Sequence, residues 1–181
     1  MKNKKPKKMS FFASPSPVHG GAASKGRAKV ARPIATKRPM HVILKSTRAV
    51  KEWSLLRHRA GVDKITNDVA NRFGVKLYRV ANVGNHLHLL VQVKRREHFQ
   101  NFLRVLAQKI MFLVTRARKG SPVGKFWDAL AFSRVVEWGQ DWRGMLAYVG
   151  KNVLEAKGFP RDRVDWWFAF KAQVAKGSTE V

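Results

Sequence analysis

The clearest pattern in the chain is an apolar run that carries polar residues at alternate positions 86, 88 and 92, with Leu90 between them in the same register. In Asn85-His86-Leu87-His88-Leu89-Leu90-Val91-Gln92-Val93 no proline interrupts the run. As a strand, it turns Leu87, Leu89, Val91 and Val93 to one face and His86, His88, Leu90 and Gln92 to the other. Met40 to Ser46 carries a similar alternation, with Met40, Val42 and Leu44 on one side and His41, Ile43 and Lys45 on the other. Val75 to Val83 is a further expected strand, joined to the histidine strand through Gly84-Asn85 closely enough to make an antiparallel hairpin.

Helical spacing separates these strands. Leu55, Leu56, Val62, Ile65, Val69 and Phe73 predict a helix over about 52–73, interrupted or kinked at Gly61 and stopped at Gly74. Phe99, Phe102, Leu103, Leu106, Ile110 and Leu113 form one apolar stripe and predict a second helix. After the Gly120-Ser-Pro-Val-Gly124 loop, Phe126 to Trp138 reads as a bent strand with Phe132, Val135 and Val136 toward the core. Asp141 is the expected cap of a last helix running to about Lys157, with Met145, Leu146, Val149, Val153 and Ala156 on its apolar face. Tyr148, Lys151, Asn152 and Glu155 lie on the adjoining flank.

The order strand, helix, strand, strand, helix, strand predicts an α+β class, ferredoxin-like (βαββαβ) fold. It is a four-stranded antiparallel sheet with both helices on one face, followed by one more helix. The histidines then occupy the other face. Two imidazoles at i and i+2 on a sheet surface can reach one metal ion; they can equally be buried and satisfied by hydrogen bonds. The pattern by itself leaves both open.

Composition changes the picture at the ends. The 181 residues hold 37 Lys and Arg against 11 Asp and Glu, a formal net charge of +26. Such a chain implies a polyanionic partner, nucleic acid first and an anionic membrane second. No apolar run approaches the roughly 18 residues of a membrane span. The lysine-rich start also lacks the apolar stretch of a secretory signal. With no cysteine there is no disulfide framework and no thiolate metal site, which fits a cytoplasmic protein. No acid precedes Glu52, so residues 1–38 are expected to be a flexible basic arm. Residues 39–158 form the expected domain. Residues 159–181 form a basic tail in which Trp166, Trp167, Phe168 and Phe170 either stack on bases or pack over the sheet or a helix.

Taken together, the histidine strand, the sheet and the tyrosine on a later helix resemble the HUH single-strand DNA endonucleases. The wording Asn85-His86-Leu87-His88-Leu89-Leu90-Val91, then Phe126-Trp127 ahead of Ser-Arg-Val-Val-Glu137, then Tyr148-Val-Gly-Lys-Asn152, is similar to the REP-associated tyrosine transposases. These belong to the single-tyrosine transposase superfamily. The family usually follows that asparagine with proline, where this chain has Val153.

The resemblance implies that Tyr148 is the nucleophile and that His86, His88 and Asn152 are ligands of Mg²⁺ or Mn²⁺. It implies cleavage and rejoining of single-stranded or hairpin DNA through a 5′-phosphotyrosine link, by a monomer or homodimer. His41, on the neighbouring strand, would orient a ligand. Lys151, Lys45 and Arg104, with Arg32, Lys37 and Arg38 from the arm, are the cations expected on DNA. The alternative is a domesticated protein that binds hairpins without cutting them.

Overall fold

The computed structural model describes residues 18–21, 31–118, 120–121 and 123–168. Its sheet elements are β1 (Val18–His19), β2 (Met40–Lys45), β3 (Lys76–Asn82), β4 (His86–Gln92) and β5 (Phe132–Val135). Its longer helices are α1 (Arg59–Arg72), α2 (Arg96–Thr115) and α3 (Gln140–Ala156). Residues 161–168 are also helical. The strands form one antiparallel sheet in the order β1-β5-β2-β4-β3. The four expected strands are thus joined by a fifth, Val18–His19, from the segment 1–38 expected to be a flexible arm.

That extra strand is short because Gly20 and Gly21 both take positive φ and turn the chain against β5. The Gly21 amide donates to Leu130 O at 2.8 Å. Arg32 fastens the same region. Its guanidinium donates to Ser133 Oγ at 2.5 Å and Ala131 O at 2.8 Å, and lies over the Phe99 ring.

The alternation in β2 and β4 falls as its pattern predicts. Met40, Val42, Leu44, Leu87, Leu89, Val91 and Val93 are buried in one core with Phe99, Phe102, Leu106 and Ile110 of α2 and Val62 and Val69 of α1. The first helix begins seven residues later than its hydrophobic spacing suggests. Lys51–Trp53 is a 3₁₀ turn, and the Leu55 amide is bound to Gly84 O of the β3–β4 hairpin. Gly61 does not break α1. It lies inside it at a close helix–helix approach, where a Cβ would meet Leu113 of α2 at 2.7 Å.

β5 is shorter than the stretch 126–138. Before it the Asp128 amide donates to Lys45 O and the Trp127 indole to Ala107 O; after it the Glu137 amide donates to Asp141. These side bonds replace a ladder.

The second sheet face is not left bare. Ala81, Leu90 and Val136 are buried there under Met145 and Val149 of α3, with Tyr78, Trp142, Leu146 and Val153 packed around them. A bulge helps. β3 pairs Leu77 with Val91 but Arg79 with Leu90, so Tyr78 is an extra residue. Such an insertion re-aims a side chain, and here Tyr78 joins Ala81 on the α3 face. Gly150, packed between Phe168 and Arg79, brings residues 161–168 against the outer side of α3.

Candidate active site

β4 and β2 set the histidines, and α3 brings the tyrosine to them. His88 stands between Ile43 of β2 and Ala81 of β3, and His41 is opposite Leu90 on one side and Arg134 of β5 on the other. Both imidazoles are nearly inaccessible to solvent, at 1% and 3%. Their rings are within 2° of coplanar, and His41 Nε2 meets His88 Nδ1 at 3.1 Å. This is an edge-to-edge hydrogen bond with the remaining ring nitrogen of His88 pointing away from it. That atom, His88 Nε2, is buried and has no hydrogen-bond partner among the described residues. A buried polar atom left unpaired costs about 1–3 kcal/mol, a cost that a partner at that atom would offset.

His86 lies next to it, with ring centroids 4.7 Å apart. Its Nδ1 is engaged by Asn85 Oδ1 at 2.6 Å, an acceptor that calls for Nδ1–H and leaves Nε2 as the lone-pair nitrogen. Burial pushes the pKa of all three histidines down. His88 falls to about 3, with further lowering from His41 and His86, and His41 to about 4, lowered further by Arg134 and partly restored by Asp141. His86 is lowered first by burial and then by Lys45, its partner in the β2–β4 register. Neutral imidazoles are what a metal ion requires. Among the described residues no group of three or more His, Cys, Asp or Glu side chains is arranged to hold a metal ion. A cation here would therefore draw on His86, His88 and a ligand of another kind.

Tyr148 completes the cluster. Its ring stands edge-on to His88 (centroids 5.6 Å, 82°) and His41 (5.9 Å, 80°). The residue is 46% exposed, and its hydroxyl has no hydrogen-bond partner among the described residues. α3 holds it there by burying Met145 and Val149 on the adjacent face. One turn on, the Asn152 amide donates to Tyr148 O at 2.8 Å, which leaves its Oδ1 as the acceptor available to a ligand.

No family model matches the chain, and no curated protein matches it. Solved structures do. A REP-associated tyrosine transposase bound to a REP hairpin superposes with a TM-score of 0.58 at 9% identity, covering 74% of this chain and 80% of that one. The likeness is one of fold. A candidate transposase from Deinococcus radiodurans R1 matches with a TM-score of 0.40 at 15% identity, over 70% of this chain and 98% of that one.

The remaining expected site residues divide. Lys45 flanks His86 at the end of β2. Lys151 pairs with Asp165 and lies over the Phe168 ring, so its ammonium is engaged away from the tyrosine. Arg104 is on α2, whose core residues pack on the opposite sheet face, and it bonds Asn101. Arg32 is held by β5 as described, and its burial lowers its pKa, which makes it a structural cation. Arg38 pairs with Glu137, and Lys37 offers its carbonyl to the Trp138 indole. Phe170, with the rest of 169–181, lies outside the described residues.

Asp141 and Arg134 were not legible as a unit. Asp141 is not the cap, since Gly139 holds that position. Its carboxylate instead takes two bonds from Arg134, at 2.9 and 3.0 Å, and one from the Glu137 amide. The Arg134 bonds, chiefly, hold the Asp141 carboxyl below its usual range. Arg134 is the register partner of His41. The acid–base spacing of seven residues carries no signal until β5 and α3 are folded against each other.

No helix among the described residues is long and apolar enough to cross a membrane.

Proposed function

We propose that this chain cleaves and rejoins single-stranded or hairpin DNA in the manner of an HUH tyrosine transposase, with Tyr148 as the nucleophile. The observation that carries it is the exposed Tyr148 ring standing against a histidine pair whose inner member has a buried, unpartnered Nε2. The likeness of fold to a hairpin-bound REP-associated tyrosine transposase agrees with that reading.

In the reaction the Tyr148 oxygen forms a bond to the scissile phosphorus while the bond from phosphorus to the 3′ oxygen breaks. The phenolic proton leaves to solvent and the departing 3′ oxygen takes one up. The products are a 5′-phosphotyrosine and a free 3′-OH, and reversal by another 3′-OH reseals DNA without a nucleotide cofactor. His86 and His88 through their Nε2 atoms, with the Asn152 carbonyl, would hold a hard divalent cation such as Mg²⁺ or Mn²⁺, and the donors fit because both imidazoles are neutral. When bound, that ion polarises the phosphate and stabilises charge on its oxygens. His41 orients His88 from behind, and Lys45 beside His86 supplies positive charge at the rim.

The test is covalent capture. Protein incubated with labelled hairpin DNA and Mn²⁺ should give an adduct that survives denaturation. Tyr148→Phe should abolish it, and His86→Ala should lower it by about tenfold or more, since loss of even an outer-shell partner of a metal ligand typically costs about 10- to 100-fold. An adduct of normal yield in Tyr148→Phe would sink the assignment. Hairpin binding without any adduct would favour the non-cutting alternative.

A further inference from the structure

At the N-terminal end of α3 three aromatic rings meet on the sheet face that carries the histidines. Tyr78 comes from the β3 bulge, Trp138 from the turn after β5, and Trp142 from the first turns of α3. Ring centroids are 4.8 Å apart for Tyr78 and Trp142, 5.1 Å for Trp138 and Trp142, and 6.2 Å for Tyr78 and Trp138. All three contacts are edge-on, the packing that fixes ring orientation.

Hydrogen bonds lock the corner further. The Tyr78 hydroxyl donates to Gln92 Oε1 at 2.6 Å, and the Trp138 indole N–H donates to Lys37 O at 3.2 Å. Yet Trp138 remains 49% exposed. Its one polar atom is already used by Lys37, so the exposed half offers only ring surface.

Charge surrounds that surface. The Lys76 ammonium lies 4.7 Å from the Tyr78 ring centroid. Lys37 and Arg38 flank the indole through the Lys37 carbonyl and the pairing of Arg38 with Glu137. Arg143, one residue after Trp142, is exposed and has no ion-pair partner among the described residues. Glu137 and Asp141 are the acids nearby in sequence, and both are paired with arginines. A rigid, half-exposed indole ringed by cations suits a base with its phosphates and suits an apolar protein surface poorly.

We propose that Trp138, braced by Tyr78 and Trp142, is a stacking platform for an unpaired base of single-stranded DNA, with Lys37, Lys76 and Arg143 on the flanking phosphates. The identity of the strand, as the one whose phosphate meets Tyr148, rests on the strand-transfer reading. The platform itself does not. Trp142 and Tyr148 are six residues apart on one helix, or roughly 9 Å along its axis at 1.5 Å per residue.

The experiment uses the full chain and two fluorescein-labelled oligonucleotides of equal length, one of thymidines and one abasic, read by anisotropy. The wild type should prefer the thymidine strand. Trp138→Ala should weaken thymidine binding about tenfold, within the range for one lost base stack, and leave abasic binding unchanged. Trp138→Phe, which keeps a ring, should return to within about threefold of wild type. A 5-iodouridine strand irradiated on the wild-type protein should cross-link at Trp138, which needs no variant. Equal losses on both strands, no loss in Trp138→Ala, or no binding of either strand by the wild type would each overturn the proposal. The anisotropy is read on the wild-type protein and its Trp138 variants without divalent cation and needs no cleavage, so failure to form a covalent adduct and failure of the platform are separate results.

Discussion

At the scale of single residues, the decisive atom is His88 Nε2, buried and unpaired beside a tyrosine. Its neutrality has a consequence for stability. The folded pKa values of His88 and His41, about 3 and about 4, lie below the ordinary 6.5. Well above pH 6.5 neither the folded nor the unfolded chain binds these protons, so the histidines contribute almost no slope there. As pH falls below 6.5 the unfolded chain is protonated first, and stability declines until the folded values are reached. Each unit of difference corresponds to about 1.4 kcal/mol. Asp141 acts lower down. Its depressed carboxyl stabilises the fold above about 3.8, and that contribution is lost as pH falls through the folded value. Urea melts in the presence of EDTA should therefore give a constant midpoint from pH 8 to 7 and a falling one from pH 6.5 to 4.5. The fall should be shallower in His88→Asn. A midpoint that holds level down to pH 4.5 would mean that these imidazoles accept protons in the folded state. The pairing of His86 and His88 on one face was legible because period-two alternation is a property of sequence. Their burial was not, because it is supplied by α3 and β5 from 40 or more residues away.

Among the elements, the ones with strong periodicity were legible and the ones fixed by side bonds were not. β2, β4 and α2 keep their expected faces because each buries a continuous apolar row. The bulge at Tyr78 leaves no trace in composition, yet it puts a tyrosine under α3. β1 was hidden for a different reason. Gly20-Gly21 reads as a loop signal, and it is one, but the loop exists to end a strand against β5. At Gly20, with φ +77°, a Cβ would lie 2.2 Å from Ala131 O, a backbone atom that cannot swing aside. Gly20→Ala should therefore lift β1 from the sheet edge, at a cost of about 1–3 kcal/mol for the strained conformation alone. Hydrogen exchange is the suitable measurement. The Gly21 amide, bonded to Leu130 O, should lose protection, while the β2 and β4 amides keep theirs. Uniform loss across the sheet would show that β1 is integral to the fold rather than an edge addition.

For the whole molecule the governing quantity is charge, and the structure sharpens what +26 means. Six ion pairs among the described residues occupy Asp63, Asp68, Glu137, Asp141, Glu155 and Asp165, more than half of the 11 acids. The acids are thus consumed locally, and most of the 37 basic residues have no carboxylate to answer them. Binding to single-stranded DNA should follow counterion release, with a slope of about −0.7 per neutralised phosphate in log K against log salt. Four to six contacts would give a slope of roughly −3 to −4, and a loss of roughly 60- to 250-fold between 50 and 200 mM salt. The slope also separates the two kinds of contact on the sheet face. Trp138→Ala removes a stacking surface and no charge, so it should lower affinity at every salt concentration in parallel with wild type. Arg143→Gln removes one phosphate contact, so it should flatten the slope by about 0.7 and converge on wild type at high salt. A Trp138→Ala line that converges in the same way would mean that the indole acts by holding cations in place. Parallel lines for Arg143→Gln would mean that its guanidinium meets no phosphate. Because slope and intercept respond to different residues, one salt titration of three proteins assigns base and backbone contacts without a structure of the complex.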